Sequence, residues 1–236
     1  FCLSRGLGDV YKRQEMEETF EGIVTSVMEE AAALLAIDSP TGYTAGAADH
    51  VMAAYRALGL APEQTRKGGV LVCLNPEAPE DDSLLLEAHV DTLGGMVTEI
   101  SAAGRLNLTN LGGMNPNNAE AENVRIVTRS GKIYTGTFQM KNASIHVNGD
   151  YSSTKRSYDA MEVVIDQEVH SRRDVEKLGI APGDIVCFEP RTVITPSGFI
   201  KSRFLDDKLS VAILLGLAGQ VARGEVKPKR RVWQHI

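Results

Sequence analysis

The sequence is poor in cysteine, in basic charge and in long apolar runs, and each shortage excludes a class of function. Its three cysteines, Cys2, Cys73 and Cys187, are far apart and contain no Cys-x-x-Cys pair. That usage fits a reducing cytoplasm, with Cys73 and Cys187 as small buried residues in strands. Lys and Arg number 25 against 31 Asp and Glu, a net charge of −6. Nucleic-acid binding needs a basic face, so no nucleic-acid partner is expected. The longest apolar stretch, residues 211–218, is interrupted by Gly216. It falls well short of the ~18 apolar residues of a membrane helix, and no membrane contact is expected. No apolar segment follows Arg5, so no signal peptide is read and a cytoplasmic protein is expected. There is no Gly-x-Ser-x-Gly elbow, which argues against a serine hydrolase. Gly94-Gly95 and Gly112-Gly113 lack the spacing of a phosphate loop.

What is present is a chain of 236 residues, 43% hydrophobic and 24% charged, enough for one large domain or two modest ones. Residues 1–14, FCLSRGLGDVYKRQ, have no periodicity, and DVYKRQ matches one reading frame of a common transposon sequencing adapter. They are read as an artefactual tail and set aside. From 16 to 37 apolar residues recur at helical spacing, and Ser39-Pro40-Thr41-Gly42 ends that helix. A second helix is expected over 45–58, stopped by Gly59. Strands are expected at 69–75 and 84–90, which opens an α/β domain. From about 96 to 196 the segments become short, strand-like and Gly-punctuated: 96–100, 124–128, 132–139, 144–147, 161–166, 184–189 and 191–195. A helix over 207–223 and a strand over 230–236 then restore the first pattern. The expected architecture is α/β, with residues 15–95 and 197–236 forming one domain and a β-barrel-like domain inserted at 96–196.

Two constellations carry chemistry. His89-Val90-Asp91 closes the strand expected at 84–90. Side chains two apart on a strand share a face, so His89 and Asp91 project together from its carboxyl end, where ligands bind in open α/β sheets. Imidazole suits zinc or cobalt, and a nearby carboxylate can fix its tautomer. The pair also fits a structural or strand-capping role. Asp206-Asp207 opens the helix after an apolar approach. One acid can cap the helix while the other faces a cleft, and a carboxylate can bridge two metals about 3.5–4 Å apart. Glu87 shares the face of His89 and reads as a buried or supporting carboxylate. His146 and His170 read as surface or packing residues, His50 as solvated, and His235 as a core or supporting histidine.

The stretches SPTGYT (39–44), LLLEAHVDTLGGMV (84–97), EAENVRI (120–126), SGKIYTG (130–136), LGIAPGDIVCFEPR (178–191) and SGFIKSRFLDDKLSVAILL (197–215) carry a resemblance. The chain resembles the dinuclear metallo-aminopeptidases that include glutamyl, deblocking and tetrahedral aminopeptidases, a family also labelled cellulase-like. The resemblance implies a metal-binding catalytic domain and an inserted domain that mediates dimerisation and larger assembly. It implies two divalent ions, zinc or cobalt, peptide substrates and a homo-oligomer. Carried over residue by residue, it makes His89 a metal ligand, Asp91 the acid that orients a neighbouring ligand and Asp206 the bridging carboxylate. Asp207 resembles a supporting acid rather than a ligand. The family's Glu-Glu pair, which supplies the general base and a ligand, and its later Asp and His have no counterpart before Ile236. The expectation is a C-terminally truncated fragment, inactive alone. Two alternatives stand beside it: a non-catalytic assembly or binding module, and a related two-metal amide hydrolase such as a deacylase. The reading frame after Ile236 separates fragment from module.

Overall fold

The computed structural model describes residues 20–236. The tail read at 1–14 and the expected helix start at 16 lie outside the described residues. The chain divides into two compact units. One holds the chain up to Ile37, Ala45–Val90 and Thr192–Ile236, and the other holds Asp38–Thr44 and Asp91–Arg191. The boundaries read from the sequence, 96 and 196, lie five residues beyond Asp91 and Arg191.

The first unit is helical and sheet-based. Helix α1 is described over residues 20–35 and helix α2 spans Ala45–Ala57. Strands β1 (Glu63–Gln64), β2 (Val70–Cys73) and β3 (Ser83–Glu87) follow. After the other unit the chain returns with a hairpin of β10 (Val193–Ile194) and β11 (Ile200–Lys201), then helix α4 (Leu205–Ala222) and strand β12 (Arg231–His235). The sheet order is β1-β2-β12-β3, with β12 antiparallel to β2 and parallel to β3. Apolar residues on α2 fall at Ala48, Val51, Met52 and Tyr55, one face at helical spacing. They pack with Leu34, Val70, Val72, Val211, Leu215 and Val232 into one core. Each fully buried aliphatic side chain there contributes about 1.5–3 kcal/mol of transfer free energy. The core also takes a polar bridge: Tyr55 donates to Gln234 Oε1 at 2.8 Å, and Gln234 Nε2 donates to Leu214 O at 2.9 Å.

The second unit is a closed six-stranded barrel, in the order β4-β5-β8-β7-β6-β9. Its strands are β4 (Gly94–Ile100), β5 (Leu106–Leu111), β6 (Glu122–Val127), β7 (Ile133–Met140), β8 (Met161–Ile165) and β9 (Ile185–Phe188). Burial alternates with period two, so Val124, Ile126, Phe138, Met140, Met161, Val163 and Ile165 fill the interior. Phe138 meets Phe188 edge-on with centroids 5.3 Å apart. Closure leaves no free sheet edge in this unit. A short helix α3 (Arg172–Leu178) follows β8, opened by Ser171 and ended by Gly179 at φ +88°.

The fold class matches the expectation of an α/β domain with a barrel. Several elements differ. Residues 144–147 form turns rather than a strand, because Asn148 Nδ2 closes the loop locally onto Asn142 O at 2.9 Å. Strand β5 and helix α3 were not foreseen. Strand β3 stops at Glu87, so His89 and Asp91 lie beyond the ladder. Cys73 is half-buried while Cys187 is buried. Among the described residues no helix is long and apolar enough to cross a membrane.

Candidate metal centre

Strand β3 lies against β12 in parallel register, with Glu87 opposite His235. Beyond the strand Ala88 N donates to His235 O at 3.2 Å. Strand β3 ends at Glu87, and His89 follows two residues later. His89 and Asp91 therefore lie outside the strand and do not share a strand face.

Asp206 is presented by the irregular start of α4. Phe204 sits in the left-handed region at φ +67° and offers no side-chain cap. Asp206 and Asp207 depart from helical dihedrals, and the peptide bond between them is cis. Regular turns begin at Lys208. Its side chain is 1% exposed, and its Nζ donates to Leu34 O at 2.9 Å and Ile37 O at 2.6 Å. Those carbonyls close the C-terminal end of α1, where the helix dipole is negative and a cation is favoured. Lys208 thus ties the first turn of α4 to the end of α1. Sequence reasoning missed it, although Lys208, Val211, Ala212 and Leu215 share one helical face, all buried.

The structure brings His89 and Asp206 together: Nε2 lies 3.3 Å from Oδ1. Both side chains are accessible, 53% and 96% exposed. Two ligands at about 2.0–2.1 Å from one tetrahedral ion stand roughly 3.3 Å apart, so nitrogen and oxygen are here spaced to share a cation. Imidazole and carboxylate are the donor types such ions take. Among the described residues no group of three or more His, Cys, Asp or Glu side chains could hold a metal ion. Asp91 belongs to the barrel unit, where Thr41 Oγ1 donates to its Oδ2 at 2.6 Å. Asp207 is half-buried.

The remaining histidines and acids sort as follows. Glu87 is not buried; its side chain is 63% exposed and its Oε1 lies 3.2 Å from His235 Nδ1. Their opposite positions in the parallel ladder put both on one face. Gly69 lies beside them, where a Cβ would stand 2.8 Å from His235 Nε2. His50 is half-buried rather than solvated, because Nε2 lies 2.6 Å from Glu30 Oε1. His146 and His170 are exposed.

Comparison with known proteins gives a consistent picture. The family model for M42 glutamyl aminopeptidase matches residues 68–233. YhfE of Bacillus subtilis (strain 168), provisionally named an aminopeptidase, is 43% identical over 204 residues, 86% of this chain and 59% of its own length. The glutamyl aminopeptidase of Lactococcus lactis subsp. cremoris (strain MG1363) is 25% identical over 204 residues, 85% of this chain and 56% of its own. The chain thus spans less than two thirds of these curated relatives. The solved structure of the Pyrococcus horikoshii TET1 peptidase superposes with a TM-score of 0.75 at 21% identity, over 89% of this chain and 60% of that one. That peptidase can assemble into a tetrahedron or a large octahedral shell.

Proposed function

Because the chain belongs to the M42 glutamyl aminopeptidase family, we propose that it forms part of a metal-dependent enzyme that removes N-terminal residues from peptides. The observation that carries this reading is the 3.3 Å approach of His89 Nε2 to Asp206 Oδ1, from residues far apart in sequence. In this reading His89 holds one divalent ion, zinc or cobalt, through Nε2. Asp206 would be a second, carboxylate ligand beside it. Asp91 orients a neighbouring ligand, and Asp207 supports from the side. When bound, two such ions supply a water acidic enough to attack near neutral pH and polarise the scissile carbonyl. Lys208 keeps the Asp206 turn from shifting as charge gathers beside it.

The protein is proposed to act in the cytoplasm as a homo-oligomer, with the barrel unit carrying the contact between copies. The test is made on the longer protein containing this span, loaded with zinc or cobalt and assayed on aminoacyl nitroanilides. Asp206→Ala is expected to lower kcat/KM by at least a thousandfold, since it removes a proposed metal ligand. Activity that survives Asp206→Ala, or that does not require metal, overturns the reading.

A further inference from the structure

Strand β3 (Ser83–Glu87) stands last in its sheet, and among the described residues β12 is its one ladder partner. Arg231 N donates to Asp82 O at 3.0 Å, and Ala88 N donates to His235 O at 3.2 Å. Along a strand the backbone groups of successive residues point to alternate sides. Asp82, Leu84, Leu86 and Ala88 therefore turn their N–H and C=O toward β12, and Ser83, Leu85 and Glu87 turn theirs outward. Arg230 Nη2 donates to the outward Ser83 O at 3.2 Å. An outward row of backbone donors and acceptors is a template for another strand.

Edges that stay single are blunted by shortness, charge, Pro or a bulge. The opposite edge of this sheet is blunted: β1 has two residues, the exposed Glu63 and Gln64. The barrel unit has closed its sheet. Strand β3 carries no such guard between Ser83 and Leu86. Leu84 is 38% exposed and Leu85 is 51% exposed. Alternation puts these two on opposite faces, so apolar surface flanks the outward row on both sides.

The edge is also complementary to itself when reversed. Antiparallel pairing about a twofold axis at Leu85 sets Leu85 against the partner's Leu85, Leu84 against the partner's Leu86 and Ser83 against the partner's Glu87. Each outward residue then meets an outward residue, as the closely spaced pairs of an antiparallel ladder require. The partner's Glu87 arrives beside Ser83, where the Arg230 guanidinium already stands. The one acid of the strand thus meets a hydroxyl and a cation. Parallel pairing in register, or an axis moved to Glu87, would instead set acid against acid, which is unfavourable.

We infer that β3 is a docking edge for a second copy of this chain, joined by antiparallel β3–β3 pairing centred on Leu85. This contact lies on the sheet unit and is separate from the one proposed for the barrel unit. Amide exchange of the purified chain is followed by NMR through a dilution series, with sedimentation velocity at the same concentrations. The Ser83, Leu85 and Glu87 amides are expected to be protected in the dimer and to exchange freely once dilution gives monomer. The Leu84, Leu86 and Ala88 amides, bonded to β12, stay protected throughout. A contact elsewhere on the surface does not produce this alternation. Leu85→Lys sets like charges together on the axis and is expected to weaken dimerisation about tenfold or more, with folding checked by circular dichroism. Should that variant not fold, Ser83→Glu and Ser83→Lys change an exposed position opposite the partner's Glu87: the acid must weaken association and the base strengthen it. A chain that stays monomeric at NMR concentrations, or a dimer whose three outward amides exchange freely, overturns the inference. Protection of those amides that persists in the monomer means that another segment of the same chain takes the edge, and overturns it as well.

Discussion

At the scale of single residues, the proposed chemistry of this chain depends on a few side chains whose partners lie far away in sequence. The pair His89 and Asp206 was readable because each stood in a local pattern: a histidine and an acid following an apolar run, and two acids opening a helix. Thr41 was not readable, since nothing around it names an acceptor 50 positions away. Lys208 carries no local signal because lysines on helices are usually solvated, whereas here two carbonyls at the end of α1 accept its hydrogen bonds. Glu87 and His235 were judged singly, and only the parallel register shows that they are neighbours. The same dependence makes Tyr55 costly to change. Its ring is fully buried, and burial pushes its phenol well above the usual range, so it remains a donor at any ordinary pH. Tyr55→Phe keeps the ring but leaves Gln234 Oε1 buried without its donor. The expected loss is about 1–3 kcal/mol of unfolding free energy, read from urea denaturation at unchanged slope. A variant as stable as the wild type would show that the Tyr55–Gln234 bond contributes nothing.

At the scale of elements, periodicity located the long helices and the strands that alternate, while local side-chain chemistry decided the rest. Strand β5 carries Leu106 and Leu108 at the spacing of a half-buried strand but lies between turn-rich segments. Residues 144–147 alternate in the same manner, yet their neighbours Asn142 and Asn148 bond to each other, and no strand pairs with them. Helix α3 is too short for a periodic signal and is defined instead by its ends. Its opening is a reciprocal cap: Ser171 Oγ accepts from Asp174 N, and Ser171 Oγ donates to Asp174 Oδ2 at 2.7 Å. The Ser171 hydroxyl first, then Lys177 and the amide of His170, pull the Asp174 carboxyl down from its ordinary value to about 2. A depressed folded pKa stabilises the folded form above the unfolded value near 4. That contribution is lost as pH falls from about 4 toward 2. Carboxyl carbon NMR should place the Asp174 midpoint near 2. Ser171→Ala, which removes the largest cause, should return the midpoint toward the ordinary Asp range. A wild-type midpoint already in that range would mean that the cap does not hold the charged form.

At the scale of the whole molecule, the change from helical to strand periodicity near Gly94 and back near Gly198 falls close to where the chain passes between its two compact units. The crossing of Asp38–Thr44 into the barrel unit left no such mark, because it consists of side-chain and backbone pairing over seven residues rather than of an element. The proposed oligomer contact can be assigned to one unit by experiment, since each exposes apolar side chains of its own. On the barrel unit Ile145 is 60% exposed and Val147 83% exposed, two apart in one turn-rich loop. On the other unit Phe199 of the β10–β11 hairpin is 70% exposed. Exposed aliphatic pairs on a closed barrel contribute nothing to its interior, so changing them leaves the fold intact and alters only what covers them. If the barrel unit carries the contact through this loop, the joint change Ile145→Glu and Val147→Glu places two like charges at each copy's share of the interface. Desolvating those charges and bringing like charge to like charge costs several kcal/mol, enough to move association by two or more orders of magnitude. Sedimentation velocity of the longer protein should show the double variant shifted to smaller species at concentrations where the wild type is assembled, while Phe199→Ser sediments as the wild type does. The reverse result, dissociation by Phe199→Ser with the double variant still assembled, would move the contact to the sheet unit and refute the assignment made here.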